Sequence, residues 1–161
     1  IQEWEGAQLK ACLPQVRKVQ IRTGLVLGSG GGVLEKLTQL TRAGLGGSAG
    51  WGRQWMSWIH IDDLCKLFLH AIENPLCGPY NAVAPEPVRN KTFMAALRTH
   101  LHRPWSPPVP ALFVLLGAWL MNTSGRLALQ SSRILSDRLP GTNFVFQFPH
   151  LQDALTDLIP S

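Results

Sequence analysis

The sequence predicts an α/β fold in which part of a parallel sheet is followed by a mainly helical lobe. Two observations lead to this prediction. Candidate strands alternate with helical patterns over residues 19–104, as they do in parallel sheets whose connections are helices. The remainder of the chain is then dominated by helical patterns. The candidate strands are few and no hairpin turns join them, so we expect their partner strands to come from elsewhere.

The first 43 residues predict a helix, a buried strand and a second helix. Residues 1–13 have helical composition, and this helix stops at Pro14. Apolar side chains alternate along residues 19–27, and the last positions are all apolar or glycine, which is typical of a strand buried on both faces. The glycine-rich residues 28–32 end the strand, and a helix is predicted over 33–43.

The middle of the chain repeats the order of strand and helix. Residues 55–61 predict a short strand, and Asp62 is a suitable N-cap for the next helix, with Asp63 in its first turn. Pro75 closes that helix, whose apolar face consists of Leu64, Leu67, Phe68, Ala71 and Ile72. A strand at 80–84 and a helix capped by Asn90 follow. Beyond Pro110 the pattern is helical to about Leu139, and a last helix is predicted around 151–159.

Composition narrows the classes of function. The 161 residues are 45% hydrophobic and 16% charged, as in a folded globular protein. The net charge of +5 comes from scattered basic residues, so no nucleic-acid partner is predicted. The longest apolar run, residues 111–121, is too short to span a bilayer, so no membrane partner is predicted either. Three cysteines without a CxxC spacing predict reduced thiols in a cytoplasmic protein.

Two glycine-rich segments resemble catalytic or binding loops only in part. Residues 28–32 lack the glycine spacing of a phosphate-binding or dinucleotide-binding loop, and we interpret them as a flexible strand exit. Residues 46–50 match Gly-x-Ser-x-Gly, but a helix precedes Ser48 where a nucleophile elbow requires a strand. A hydrolase using Ser48 is therefore the least favoured hypothesis.

Several other polar residues could have either a structural role or a role in binding a ligand. Five residues of metal-ligand type lie close together in sequence: His60, Asp62, Asp63, Cys65 and His70. Capping of the helix explains the two aspartates, and positions beside the apolar face of the helix explain Cys65 and His70, so no metal site is predicted there. Arg53, in the second glycine-rich loop, suits a phosphate or carboxylate, although a solvated surface arginine fits equally well.

Several motifs occur in the order found in one family. They include Arg22-Thr23-Gly24-Leu25-Val26-Leu27-Gly28 and, in residues 50–64, the run Ser57-Trp58-Ile59-His60-Ile61-Asp62-Asp63-Leu64. Further matches are residues 44–47, 78–85, 90–93, 103–110 and 144–155. Together they resemble the atypical extended short-chain dehydrogenase/reductases known as NAD-dependent epimerase-family proteins, over nearly the whole chain.

This resemblance implies a Rossmann domain that binds NADP(H) and a small helical C-terminal domain. In such proteins the glycine-rich cofactor loop and the Tyr-x-x-x-Lys catalytic region come earlier than the motifs matched here, and Tyr80, the only tyrosine, has no lysine four residues later. We therefore assign no catalytic residue to this chain. The implied division is 1–32 as the end of the Rossmann domain, 33–104 as a substrate-side region with a returning strand and helix, and 105–161 as the small helical domain.

The resemblance also implies where ligands lie. Cofactor contact is expected at Thr23, Leu25 and Val26, in the sixth strand of the Rossmann sheet. The loop 44–57 is expected to wall the substrate cleft, with Arg53, Gln54 and Ser57 as its polar candidates.

The function expected from these motifs is the C-terminal part of an NADP(H)-dependent oxidoreductase or nucleotide-sugar-epimerase-like protein, which shapes the substrate cleft and is inactive alone. NADP is the implied cofactor, with weak or no binding to this chain by itself. The alternative is a non-catalytic binding module that reuses the substrate lobe. The substrate is a small molecule of unknown identity, self-association is expected from the incomplete sheet, and a mitochondrial or plastid location is an alternative to the cytoplasm.

Overall fold

The computed structural model describes residues 16–109 and 131–160. The predicted helix at 1–13 and the predicted helical stretch at 110–130 lie outside these residues. In chain order the elements are β1 (Val19–Thr23), β2 (Leu25–Leu27), α1 (Gly32–Arg42), β3 (Trp55–Met56), β4 (Trp58–His60), α2 (Ile61–Glu73), β5 (Gly78–Ala82), β6 (Val88–Arg89), α3 (Asn90–His100), a 3-10 turn (Pro140–Thr142) and α4 (Leu151–Leu158).

Parallel strand pairs form the centre of the molecule. β1 pairs with β5, with Val19 opposite Gly78, and β2 pairs with β4, with Leu25 opposite Trp58. Both pairs are parallel and separated in sequence by helices, which confirms the predicted α/β class. The remaining pair, β3 with β6, is antiparallel.

Residues 19–27 do not form the single strand that was predicted. The strand divides at Gly24, whose N–H bonds to the Ala82 carbonyl at 3.2 Å, while the Leu25 N–H bonds to the Ser57 carbonyl at 2.8 Å. The chain therefore changes partner strand at this residue. A side chain is impossible there without movement, because a Cβ on Gly24 would lie 2.4 Å from the Ser57 carbonyl oxygen.

The second predicted strand also divides. Residues 55–56 pair with β6 and residues 58–60 with β2, so Ser57 separates two pairings of opposite direction. The strand predicted at 80–84 occupies Gly78–Ala82 instead.

The two predicted helix caps are wrong. α2 begins at Ile61, and His60 is its N-cap, since the His60 Nδ1 accepts the Asp62 N–H at 3.1 Å. Asp63 lies in the first turn, as predicted, and Asp62 lies in the first turn with it instead of at the cap. Asn90 is the first residue of α3 and not its cap; its Oδ1 accepts the Ala49 N–H at 2.9 Å and so fastens a distant loop. The neighbouring His60 takes the capping role predicted for Asp62, whereas a tertiary contact with Ala49 occupies the side chain of Asn90.

Residues 131–139 are not helical, contrary to the prediction. Their backbone groups bond across to the sheet: the Ile134 N–H donates to the Ser57 Oγ at 2.8 Å, and the Leu135 carbonyl accepts from the Asn81 amide at 3.0 Å. These groups are thereby unavailable for helical bonds. The last helix, α4, is confirmed.

Two apolar clusters cover the parallel strands. Adjacent residues of β4 divide between them: Trp58 belongs to the first cluster with Phe93 and Leu155, and Ile59 to the second with Leu67. Because successive strand residues point to opposite faces, the strands are buried from both sides, as in a doubly wound sheet. The first cluster also joins α3 to α4, so the segment after residue 105 contributes to the core of the preceding region. Within residues 16–109 and 131–160, no helix is long and apolar enough to cross a membrane.

Part of the predicted apolar surface stays exposed. Phe68 and Ile72 of α2 are 48% and 71% exposed, and Val16 before β1 is 56% exposed. β1 itself contains no buried residue. Strands and helices of this composition are usually covered on both sides.

We expect β1 to be less protected than α2. Amide hydrogens of residues 16–28 should exchange faster than those of residues 64–72, because no residue of β1 is buried whereas α2 is capped and packed along one side. Hydrogen exchange measured by NMR, with sedimentation at several protein concentrations, checks this. A monodisperse monomer whose β1 amides are as protected as those of α2 would contradict both this expectation and that of self-association.

Candidate functional site

The glycine-rich loop 44–57 is held in place by the N-terminus of α3. The Ala49 N–H bonds to the Asn90 side chain at 2.9 Å, and the carbonyls of Gly52 and Gln54 accept the first two helical N–H groups, those of Lys91 and Asn90, at 3.0 and 2.9 Å. Helix N–H groups that would otherwise lack partners are therefore satisfied by this loop.

The other side of the loop is attached to residues 106–109. The Gly50 N–H donates to the Val109 carbonyl, and the Val109 N–H donates to the Ser48 carbonyl, both at 2.8 Å. A Cβ on Gly47 would lie 1.9 Å from the Pro107 carbonyl oxygen, so the two backbones approach as closely as glycine allows. The loop is thus a fixed wall on the surface of the fold.

The three predicted substrate residues have different environments. Arg53 is exposed, and its carbonyl accepts a hydrogen bond from the Arg89 guanidinium. Gln54 is half-buried and donates to the Ala49 carbonyl at 3.1 Å. Ser57 is buried, and its hydroxyl bonds to the backbone of Ile134 as acceptor and to the carbonyls of residues 132 and 134 as donor. Arg53 presents the most accessible side chain of the three.

The predicted cofactor residues lie on the divided strand. Thr23 is exposed at the end of β1. Leu25 packs on the first apolar cluster and Val26 on the second, so their side chains face opposite sides of the sheet. The Leu25 N–H bonds to the Ser57 carbonyl, which brings this strand beside one end of the predicted substrate loop.

Sequence reasoning missed a group of cationic and aromatic side chains around Trp55. The guanidinium carbons of Arg89 and Arg133 lie 3.8 and 5.0 Å from the centroid of the Trp55 ring. Arg89 is placed there by the β3–β6 register, in which Trp55 and Arg89 are direct partners. Their separations along the chain, 34 residues or more, left no local signal for this group.

Ser48 has none of the surroundings of a nucleophile. It lies on the fixed loop with no strand before it, and its hydroxyl faces the Gly50 carbonyl at 3.5 Å. Nothing in this contact would remove its proton.

We therefore expect a fluorophosphonate probe to leave Ser48 unlabelled, as judged by mass spectrometry of the intact chain and its peptides. A serine hydrolase treated in parallel provides the positive control. Stoichiometric labelling at Ser48 would revive the hydrolase hypothesis.

Three residues of metal-ligand type lie close together at His60: one ligand atom each of His60, Asp62 and Asp157 lies within 4.8 Å of the others, and among the described residues the buried His60 Nε2 has no hydrogen-bond partner. His60 is buried, stacks on Phe148 at 3.9 Å, and accepts the Asp62 N–H through Nδ1, while its Nε2 lies 3.2 Å from the Asp157 carboxylate. Asp62 and Asp157 thus lie beside different ring nitrogens. This arrangement joins α4 to β4. The Asp63 carboxylate accepts the N–H groups of Gln147 and Phe148 at 2.7 and 2.9 Å, which fixes the chain entering α4.

The chain is similar in sequence to one family model and to several epimerase family proteins. Residues 109–158 match the family model described as a domain of unknown function (DUF1731). The chain is 40% identical over 156 residues to the epimerase family protein SDR39U1 homolog, chloroplastic, of Arabidopsis thaliana, covering 95% of this chain and 43% of that protein. It is 36% identical over 160 residues to epimerase family protein SERP0438 of Staphylococcus epidermidis, covering 99% of this chain and 52% of the relative.

The fold is also similar to those of solved epimerase structures. The human epimerase family protein SDR39U1, crystallised with NADPH, superposes with a TM-score of 0.84 at 34% identity over 98% of this chain and 52% of that one. A Thermus thermophilus UDP-glucose 4-epimerase in complex with NAD superposes with a TM-score of 0.68 at 14% identity over 96% of this chain and 48% of that one, a likeness of fold alone. The chain spans about half the length of the curated relatives it matches.

Proposed function

Because the chain corresponds in sequence and fold to the C-terminal portion of an extended short-chain dehydrogenase/reductase of the epimerase family, we propose that it forms the substrate-side part of an NADP(H)-dependent oxidoreductase or nucleotide-sugar-epimerase-like protein. It shapes the substrate cleft and has no activity by itself. We also propose that the protein is cytoplasmic, as predicted from its cysteines.

The observation that carries the proposal is the divided strand 19–27. It joins two parallel pairs, and its β2 part is covered on both faces by apolar clusters, yet β1 has no buried residue and the α2 side chains of Phe68 and Ile72 are exposed. A doubly wound sheet requires more strands and helices than these to enclose a dinucleotide. The exposed strand and helix are where such elements would pack.

The cofactor assignment follows from the position of this strand. In open parallel sheets, ligands bind outside the carboxyl ends of the strands. β2 ends at Leu27 and is followed by the exposed residues 29–30. Backbone contact at Leu25 and Val26, with Thr23 beside them, would place the reactive part of NADP near this end. The human relative crystallised with NADPH supports this choice of cofactor.

The substrate assignment follows from the fixed loop. Loop 44–57 begins beyond α1 and reaches the strand at Ser57, so it extends from the surface to the proposed cofactor contacts. Its hydrogen bonds to α3 and to residues 106–109 hold its shape, which pre-organises a wall for a ligand. Arg53 and Gln54 are the polar side chains it would present, while the Ser57 hydroxyl fastens the segment around Ile134.

A chimera tests the proposal. The N-terminal half of the human relative, joined to residues 1–161 of this chain, should bind NADPH, as followed by nicotinamide fluorescence. The full-length human relative is the reference, and Arg53→Gln in the chimera should leave NADPH affinity unchanged because Arg53 is assigned to substrate. A chimera that is folded by circular dichroism but does not bind NADPH would contradict the proposal.

A further inference from the structure

A cleft lies between α1 and the C-terminal end of α4. Its volume is about 170 Å³, and it is lined by residues 28–30 after β2, by one side of α1 and by residues 158–160. None of the side chains assigned above to cofactor or substrate lines this cleft. A ligand bound in it would therefore go beyond the proposed function.

Three polar residues of α1 line the cleft in a row. They are Glu35, Thr38 and Arg42, which are separated by three and four residues and so lie on one face of the helix. The residues that line the cleft from the end of α4 are apolar, namely Leu158, Ile159 and Pro160. The cleft thus combines an acidic group, a hydroxyl group and a basic group with an apolar wall.

The Thr38 hydroxyl is an unpaired polar group in the wall of this cleft. Thr38 is 7% exposed, and its Oγ1 is buried without a hydrogen-bond partner among the described residues. By contrast, the hydroxyl of Thr41 in the same helix donates to the Leu37 carbonyl at 2.7 Å. A buried hydroxyl without a partner costs free energy, which a ligand with a hydrogen-bonding group recovers. Thr38 therefore favours a ligand with a polar group beside it.

The two charged side chains of the row select for opposite charges. Arg42 is exposed, and within residues 16–109 and 131–160 its guanidinium has no hydrogen bond and no carboxylate partner. Glu35 is also exposed, and its Oε1 accepts the Gln39 amide at 3.2 Å. A ligand with only a carboxylate would be repelled by Glu35, and one with only an amine by Arg42. A ligand with one charge of each sign satisfies both.

We propose that this cleft binds a small linear amino acid whose ammonium and carboxylate groups stand at opposite ends of an aliphatic chain. Side chains in a helix lean toward its N-terminus, so Arg42 reaches back toward Thr38, and the two bind the carboxylate together. Glu35 binds the ammonium group, and the aliphatic chain lies along Leu158 and Ile159. Seven residues of helix span about 10 Å. An α-amino acid, whose two charged groups share one carbon, does not bridge that distance.

The compound ε-aminocaproate is the probe for this site. Added to residues 1–161, it should cause saturable NMR shifts in the amides of residues 28–42 and 158–160, with a Kd of about 1 mM, as expected for so small a ligand. Norleucine is its isomer with both charges on one carbon, and caproate lacks the amine. Each should bind at least about tenfold more weakly, because one ionic contact is lost.

Two variants and their matched controls locate the binding. Arg42→Gln and Thr38→Val should each weaken ε-aminocaproate at least about tenfold, as for loss of a hydrogen bond to a charged group. Thr38→Val should remain folded, because the hydroxyl it removes has no partner among the described residues. The controls are Thr41→Val and Arg103→Gln, since neither residue lines the cleft, and both should leave the affinity unchanged.

Selective loss of binding in Arg42→Gln and Thr38→Val, with circular dichroism showing all variants folded, supports the site. The proposal is overturned if ε-aminocaproate causes no saturable shifts, or if norleucine or caproate binds equally well. It is also overturned if the control variants weaken binding as much as the cleft variants do. None of these results depends on NADPH binding by the chimera.

Discussion

Replacing Gly24 with alanine is expected to lower the free energy of unfolding by about 3 kcal/mol, as for overpacking against atoms that have no room to retreat. The new Cβ would lie 2.4 Å from the Ser57 carbonyl oxygen and 2.7 Å from a methyl group of Val83. The carbonyl oxygen belongs to backbone that accepts the Leu25 N–H, so relief requires breaking the junction between the two parallel pairs. Urea denaturation followed by circular dichroism measures the change.

Gly141→Ala is the matched control for this prediction. A Cβ on Gly141 would meet nothing within 4 Å, and Gly141 lies in the 3-10 turn without a positive φ that would favour glycine. The change should alter the unfolding free energy by less than about 0.5 kcal/mol. Equal effects of the two substitutions would show that the close approach at Gly24 does not define the sheet.

Asp63→Asn is expected to cost about 3 kcal/mol, because a buried charge-assisted hydrogen bond is lost and an amide N–H group is turned toward another donor. The Asp63 side chain is fully buried and accepts two backbone N–H groups, those of Gln147 and Phe148, at 2.7 and 2.9 Å. An asparagine of the same shape has one oxygen and so serves only one of them. The same denaturation measurement applies.

Asp62→Asn isolates the contribution of that contact. Asp62 precedes Asp63 in the same first turn but has a side chain that is 58% exposed. Its replacement removes a favourable charge at the helix N-terminus and should cost about 0.5 kcal/mol. If Asp62→Asn destabilises as much as Asp63→Asn, the effect comes from the helix dipole and not from fastening the chain before α4.

Periodicity in the sequence predicted where most elements lie, because burial of one face is a local property of a strand or helix. α1, α2, α3 and α4 all fall where their apolar patterns place them. The division at Gly24 was not predictable, since it depends on the backbone of Ser57 approaching from another part of the chain. The loss of helix in residues 131–139 has the same cause, a set of bonds to Ser57 and Asn81.

The candidate site, too, could be predicted from the sequence only where local sequence determines it. Arg53 could be identified from its glycine-rich loop, because glycine spacing is readable along the chain. Arg89 and Arg133 could not be, because only strand register and the bonds of residues 131–132 bring them to Trp55. The cap of α2 was mispredicted for a local reason, because the His60 imidazole accepts the Asp62 N–H and takes the place expected for the Asp62 side chain.

We infer that this chain supplies the substrate side of a cofactor-dependent fold without a complete cofactor site of its own. Titrating residues 1–161 with NADPH, while nicotinamide fluorescence is followed, tests it most directly. A pyrophosphate group is normally anchored by a glycine-rich turn at a helix N-terminus, and residues 28–32 lack that spacing. We expect no saturation with micromolar NADPH for this chain and saturation for the chimera. Micromolar binding by residues 1–161 alone would contradict it.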